Sequence, residues 1–129
     1  VGSEMCIRDR LSPQHLHTVL KGMDKVVNGS QGTARKVVDQ SMKFQFGGKS
    51  GSVQVKRISL DERESGKLKN KDRPWHERDH AMFVAFAPLK SPRYVVSVVV
   101  EHGGGGSTMA APIARDILAE ALRLNPSKL

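Results

Sequence analysis

Three features of this 129-residue sequence predict an α+β fold, an antiparallel sheet flanked by helices. Amphipathic stripes of helical period lie near its two ends. Two apolar runs of strand length stand on either side of a short turn. The resulting order is helix, strand, long loop, strand, strand, helix, with no internal repeat.

Each element has a local reason. Ser12-Pro13 reads as an N-cap followed by proline in the first turn. Leu16, Val19, Leu20, Met23, Val26 and Val27 then recur at helical spacing until Asn28-Gly29, so a helix with one buried stripe spans about 13–28. A short helix is expected near Thr33–Val38. Phe44 to Arg57 is strand-like, and Val53 and Val55 alternate with Gln54 and Lys56 as in a half-buried strand. Its glycines, Gly47, Gly48 and Gly51, allow a ligand or another backbone to approach closely. From Ser59 to His80 the chain carries six acidic and six basic residues and almost nothing apolar, a long solvated excursion. Ala81–Ala87 and Tyr94–Glu101 read as strands of one hairpin, turning through Pro88–Arg93. The second is apolar on both faces, the pattern of a central, covered strand. After the glycine run Gly103–Gly106, Ser107 or Thr108 can cap a last helix with Pro112 in its first turn. Its stripe is Ile113, Ala114, Ile117, Leu118, Ala121 and Leu122, with Arg115, Asp116, Glu120 and Arg123 facing away. Asn125-Pro126 ends it.

The first ten residues, V-G-S-E-M-C-I-R-D-R, have neither period nor the apolar core of a signal peptide. They read as a sequencing or cloning remnant ahead of a chain cut at its N-terminus, the alternative being a disordered native tail. The domain reading is therefore a non-native head at 1–10, a domain at 11–125 with the charged loop 59–80, and a tail at 126–129.

Composition narrows the function. The net charge is +8, with eight basic and two acidic residues in 11–58 alone. That points to anionic partners without choosing among nucleic acid, membrane and carboxylates. Aromatics are only 5%, a poor supply for base stacking. The single cysteine, Cys6, excludes an internal disulfide framework and a four-cysteine zinc site. No apolar run approaches the ~18 residues that span a bilayer.

Four constellations could carry chemistry. H-E-R-D-H, His76 to His80, matches the H-E-x-x-H of zinc proteases. Pro74-Trp75 before it, a strand-like run after it and charged residues between the histidines argue against the helix that motif needs. Gly103–Ser107 lies between strand and helix, where phosphate binds, but has neither G-x-G-x-x-G nor P-loop spacing. It reads as a permissive turn, and His102 beside it as structural or exposed. His15 and His17, two apart on a helix, point apart and share no metal easily. No metal or cofactor is expected. The fourth, Lys49-Ser50-Gly51-Ser52, matches the K-[ST]-G strand of penicillin-recognising serine enzymes, a weak signal on its own.

Its surroundings strengthen it. V-V-N-G, G-T-A-R, G-K-S-G-S-V-Q-V, R-D-H-A-M-F-V-A-F-A-P, V-V-V-E-H-G-G-G-G-S and A-A-P-I-A-R-D-I-L follow one another in order. From about Leu11 to Leu122 the chain thus resembles the C-terminal end of the transpeptidase domain of class B penicillin-binding proteins. The similarity is to their elongation-type branch, penicillin-binding protein 2 of Gram-negative bacteria. The resemblance implies a penicillin-binding protein transpeptidase/β-lactamase-like fold, truncated, with three strands present of a five-stranded sheet, so that Tyr94–Glu101, which pairs there with an absent N-terminal strand, would expose that edge. It implies a D,D-transpeptidase that cross-links peptidoglycan and is acylated by β-lactams, in a parent held in the bacterial inner membrane with this domain in the periplasm. Stem peptides, β-lactam antibiotics and the cell-wall elongation machinery are the implied partners; nucleic acid is not.

The resemblance also assigns roles. Lys49 would attract the C-terminal carboxylate of the donor peptide and the Ser50 hydroxyl would hydrogen-bond it. Gly51 would let the peptide lie along the strand as an added strand. The backbone N–H of Ser52 would be one oxyanion-hole donor. R-D-H-A opening a strand removes the zinc reading of His80. The family's nucleophile motif S-x-x-K and its S-x-N motif occur nowhere in the sequence. The chain alone is therefore expected to be inactive, those motifs lying upstream in the parent. Rival readings are a non-catalytic ligand-binding relative and a basic nucleic-acid-binding module.

Overall fold

The computed structural model describes residues 11–39, 41–64 and 70–125. The head at 1–10 and the tail at 126–129 lie outside the described residues.

Helix α1, Pro13–Asn28, has the predicted bounds. Ser12 supplies only its carbonyl, accepting the Leu16 N–H at 3.0 Å, and makes no side-chain cap. Asn28 fixes the other end. Its Nδ2 donates to Asp24 Oδ1 at 2.8 Å and, across the chain, to the Phe46 carbonyl at 3.0 Å. Val27 is buried, but Leu16 and Val19 of the expected stripe are exposed. The short helix expected at 33–38 is a single 3-10 turn, Arg35–Val37.

Strands β1 (Gly47–Val53), β2 (His80–Ala87) and β3 (Tyr94–Val100) form one antiparallel sheet in the order β1-β2-β3. The register pairs Lys49 with Val84, Ser52 with Ala81 and Val53 with His80. Two expectations are corrected here. The strand foreseen from 44 to 57 stops at Val53, and Val53 and Val55 are exposed, because the ladder ends before their alternation can bury a face. β3, whose pattern alone reads as covered on both faces, is covered on one; among the described residues it is an edge strand, as the truncated sheet implies, with β2 central. Its Val98 is buried, whereas Val95 and Val99 are 75% and 55% exposed. An all-apolar run records what a strand can bury, and among the described residues only one face of β3 is covered.

The long loop is less open than its charge implied. It contains a five-residue helix α2, Leu60–Glu64, and two 3-10 turns, Asn70–Asp72 and Trp75–Glu77. Arg73 is buried in it and paired with Asp79 at 3.4 Å.

Helix α3, Ala111–Leu124, packs across β2 and β3. A wide π-type turn, Gly106–Ala110, leads into it in place of a serine or threonine cap; Thr108 Oγ1 bonds back to the Gly105 carbonyl at 3.0 Å. The buried stripe of α3 is Ala111, Ala114, Leu118 and Leu122, while Ile113 and Ile117 are exposed. Arg115, expected to face away, instead reaches the Val37 carbonyl at 3.1 Å. The core therefore joins α3, the inner residues Ala81, Phe83, Ala85 and Ala87 of β2, and Val27 and Phe46 beside β1.

Candidate functional site

The K-S-G segment occupies the middle of β1, and among the described residues β1 pairs with β2 alone. Its other edge carries no strand among the described residues. Lys49 is exposed; its Nζ donates to the Ser50 carbonyl at 2.7 Å and meets no carboxylate among the described residues. Nothing among the described residues therefore neutralises its positive charge. Ser50 is half-buried, its Oγ 3.4 Å from Thr33 Oγ1. Ser52 is exposed, and its Oγ donates to the Gly104 carbonyl at 3.2 Å.

Two outside segments thus frame the strand. Thr33 is delivered by the loop after α1. The Ala34 N–H donates to the Val26 carbonyl at 3.0 Å, Ala34 and Val37 are buried, and Arg115 holds the Val37 carbonyl from α3. The glycine run arrives from the other side. Gly106 lies flat on the backbone where β1 and β2 meet. A Cβ there would fall well inside 3.0 Å of the Met82 and Gly51 carbonyl oxygens and stand 3.0 Å from the Gly51 nitrogen. The run read from sequence as a permissive turn is therefore a contact surface for the K-S-G strand.

The structure brings Lys49, Ser50, Gly51 and Ser52 together on one strand and adds Thr33 and Gly104. Thr33 stood in the quoted G-T-A-R segment without a role, and no local signal placed it beside Ser50, seventeen positions away. The remaining candidates lie elsewhere. His15 and His17 are exposed on α1. His76 sits in a 3-10 turn and His80 opens β2, so the two histidines of H-E-R-D-H share no helix face, and Glu77 is paired with Lys56 at 3.0 Å. No group of three potential metal ligands occurs among the described residues. His102, expected to lack partners, has several. Its backbone N–H donates to His80 Nδ1 at 2.9 Å, its own Nδ1 lies 3.0 Å from the Arg78 carbonyl, and its ring contacts both Trp75 and His80.

A cavity of about 720 Å³ lies between Met42–Gln45 and the Pro88–Arg93 turn, and none of the K-S-G-S residues lines it. A smaller one, about 380 Å³, adjoins the glycine run and is lined by Lys71, Arg78, Gly103–Gly105 and Thr108.

The chain is similar to known proteins. The family model for the penicillin-binding protein transpeptidase domain matches residues 8–119. The peptidoglycan D,D-transpeptidase MrdA of Haemophilus influenzae is 42% identical over 98 residues, 76% of this chain. Penicillin-binding protein 2 of Pseudomonas aeruginosa, solved in complex with WCK 5153, superposes with a TM-score of 0.65 at 36% identity, over 86% of this chain and 20% of that one. Penicillin-binding protein 2 of Helicobacter pylori, solved in complex with MreC, gives 0.67 at 28% identity, over 90% and 19%. The chain spans 14% of the length of the Haemophilus relative.

Proposed function

The chain belongs to the penicillin-binding protein transpeptidase family, and we propose that within it β1 is the substrate-binding strand of a serine-type peptidoglycan D,D-transpeptidase. In this reading the Lys49 ammonium and Ser50 hydroxyl hold the C-terminal carboxylate of a donor stem peptide. The peptide adds to the outer edge of β1 beside Gly51, where main-chain hydrogen bonds supply affinity and side-chain contacts supply selectivity. The Ser52 N–H is one donor to the oxyanion that forms at the scissile carbonyl, and a donor of this kind typically contributes ~10²–10³ in turnover. β-Lactams bind the same strand in place of the peptide. The parent enzyme works at the periplasmic face of the bacterial inner membrane with the cell-wall elongation machinery, a reading supported by the MreC complex of the Helicobacter relative. No helix among the described residues is long and apolar enough to cross a membrane.

One observation carries the proposal. Among the described residues Lys49 is a cation without a carboxylate on a strand edge that pairs with no other strand, beside two hydroxyls, Ser50 and Thr33, 3.4 Å apart. The sequence holds no S-x-x-K, so the role of this chain is substrate holding rather than acylation. Calorimetric titration with acetyl-X-D-Ala-D-Ala peptides tests it. Lys49→Gln should weaken binding about tenfold, as expected for loss of one charge-assisted contact of about 1.5 kcal/mol. Equal affinity for the two proteins would remove the role.

A further inference from the structure

The chain leaving β3 is tied to the entry of β2 at consecutive residues. The His102 ring Nδ1 lies 3.0 Å from the Arg78 carbonyl, the Gly104 N–H donates to the Asp79 carbonyl at 2.8 Å, and the His102 N–H donates to His80 Nδ1 at 2.9 Å. The first two bonds end on backbone carbonyls, which accept whatever the pH. The third ends on a ring nitrogen, which accepts only while it carries no proton.

The partners fix the state of both rings. A backbone N–H can only donate, so His80 Nδ1 is bare and its ring is neutral, with the proton on Nε2. A carbonyl can only accept, so His102 Nδ1 carries a proton. Protonating His102 at its other nitrogen leaves its bond to Arg78 in place. Protonating His80 at Nδ1 sets one N–H against another. It also puts a positive ring 4.7 Å, centroid to centroid, from that of His102. The charged groups next to the pair are otherwise engaged or open to water. Asp79 is paired with Arg73 and Glu77 with Lys56. The Arg78 guanidinium donates to the Arg73 and Lys71 carbonyls. Glu101 and His76 are exposed. The uncharged ring of Trp75 stands edge-on to His102 at 4.6 Å.

The titratable bond sits at the root of a bend. His102 adopts φ 54°, a left-handed backbone sparsely used by residues other than glycine, and the bond is made by its own N–H. This bend turns the chain out of β3 and sends the glycine run back to β1. There the Gly104 carbonyl accepts the Ser52 hydroxyl at 3.2 Å, and Gly106 lies against the Gly51 backbone. Val53, the residue after Ser52, pairs with His80 itself. His80 thus flanks the Ser52 end of β1 from the neighbouring strand and also anchors the turn that covers it.

We propose that His80 is a positioning residue for the substrate strand: its bare Nδ1 holds the glycine run against Ser52, and a proton on that nitrogen releases the run, so that peptide binding at β1 weakens in acid. The inference rests on the substrate reading given above. His80 acts through Ser52 and takes no part in the bond-making step.

The full 129-residue chain serves for the test. Histidine is the side chain that changes charge between about pH 5 and 8, a range in which a peptide's terminal carboxylate does not. Nitrogen-15 NMR of the histidine rings should show His80 with a bare Nδ1 at the alkaline end. The Ser52 and Gly104 amide signals should move in step with His80 on acidification, a readout that needs no variant to fold. Calorimetric titration with acetyl-Lys-D-Ala-D-Ala should show binding about fivefold weaker at the acid end, the order expected for one lost neutral hydrogen bond. His80→Asn replaces the ring nitrogen by an amide oxygen that accepts without titrating. It should keep the tight binding and flatten the pH profile, although asparagine is disfavoured in strands, so the rescue is not a gain in strand packing. His80→Leu should bind weakly across the range. A protonated Nδ1 at the alkaline end, Ser52 and Gly104 signals that ignore His80, or an unchanged slope in His80→Asn would each overturn the role of His80, while Lys49-dependent binding left the substrate reading standing. Absence of Lys49-dependent binding at every pH would overturn both.

Discussion

Replacing glycine by alanine should act with opposite sign at two positions of this chain. At Gly106 the added methyl meets backbone on two strands, the Met82 carbonyl oxygen and the carbonyl oxygen and nitrogen of Gly51. Ordinary contact begins at 3.4 Å, so the turn must retreat by roughly 1 Å, and backbone atoms in a paired ladder cannot rotate aside as a side chain can. Gly106 has no positive φ, so the clash alone sets the cost. Overpacking of this kind costs about 1–3 kcal/mol. For a domain of this size that lowers Tm by roughly 5–12 °C. At Gly22, inside α1, nothing lies within 4 Å of the added methyl. There alanine removes the helix penalty of glycine and should stabilise by about 0.5–1 kcal/mol. Thermal unfolding followed by circular dichroism, with urea midpoints at unchanged m, reads both. Peptide titration should also show weaker binding in Gly106→Ala, because the displaced turn takes the Gly104 carbonyl away from Ser52. A Gly106→Ala protein as stable as the parent would refute the idea that the glycine run seats the K-S-G strand.

Three further outcomes follow from the same geometry and sequence. Fluorescent penicillin should not label this chain covalently on a denaturing gel, since no serine has lysine three places on; stoichiometric labelling would refute that. The exposed β3 edge should drive self-association at high concentration, and sedimentation should show Val95→Lys and Val99→Lys returning the protein to monomer. Asp39 accepts the Ser41 N–H at 3.0 Å, and this hydrogen bond is the main cause holding its carboxyl below the usual value. A carboxyl with a depressed folded value stabilises fully above its unfolded value, ~3.9, and loses that contribution as pH falls through the lower folded value. Asp39→Asn should accordingly flatten the pH dependence of stability below about pH 4, measured as Tm against pH.

What was legible in the sequence was what a local period can encode. The α1 bounds follow from a spacing of 3.6, and the β2–β3 hairpin from two apolar runs of strand length around a short turn, signals that need no knowledge of the rest of the chain. Strand order was legible through the family resemblance and not in the pattern of β3 itself. Tyr94–Val100 is apolar on alternate and intervening positions alike, so its pattern is the same whether one face or both are covered, and it forms an edge here. The same limit explains Ile113 and Ile117: helical spacing groups them with Ala114 and Leu118, but the face of α3 that is buried is Ala111, Ala114, Leu118 and Leu122. The K-S-G strand was legible as a motif. Its frame was not, because Thr33, Gly104 and Gly106 reach it across long stretches of sequence, and no local pattern distinguishes a glycine needed for close approach from one needed for a turn.

The composition of β1 follows from that frame. Gly47, Gly48 and Gly51 give the strand three residues with no side chain to pack, a composition that weakens an isolated strand. Here neighbours supply the missing contacts. Cβ atoms at Gly47 and Gly48 would stand 2.6 and 2.5 Å from the rings of Phe86 and Phe83, so the phenylalanines of β2 fill the space those side chains would occupy. Gly106 presses on Gly51 in the same way. The strand is thus positioned by the buried Phe83 and Phe86 and by the glycine turn, and its own polar side chains, Lys49, Ser50 and Ser52, are spared from packing. A strand held by its neighbours' rings can present those groups at a fixed height along an open edge, which is the arrangement needed to bind an extended peptide by its terminus.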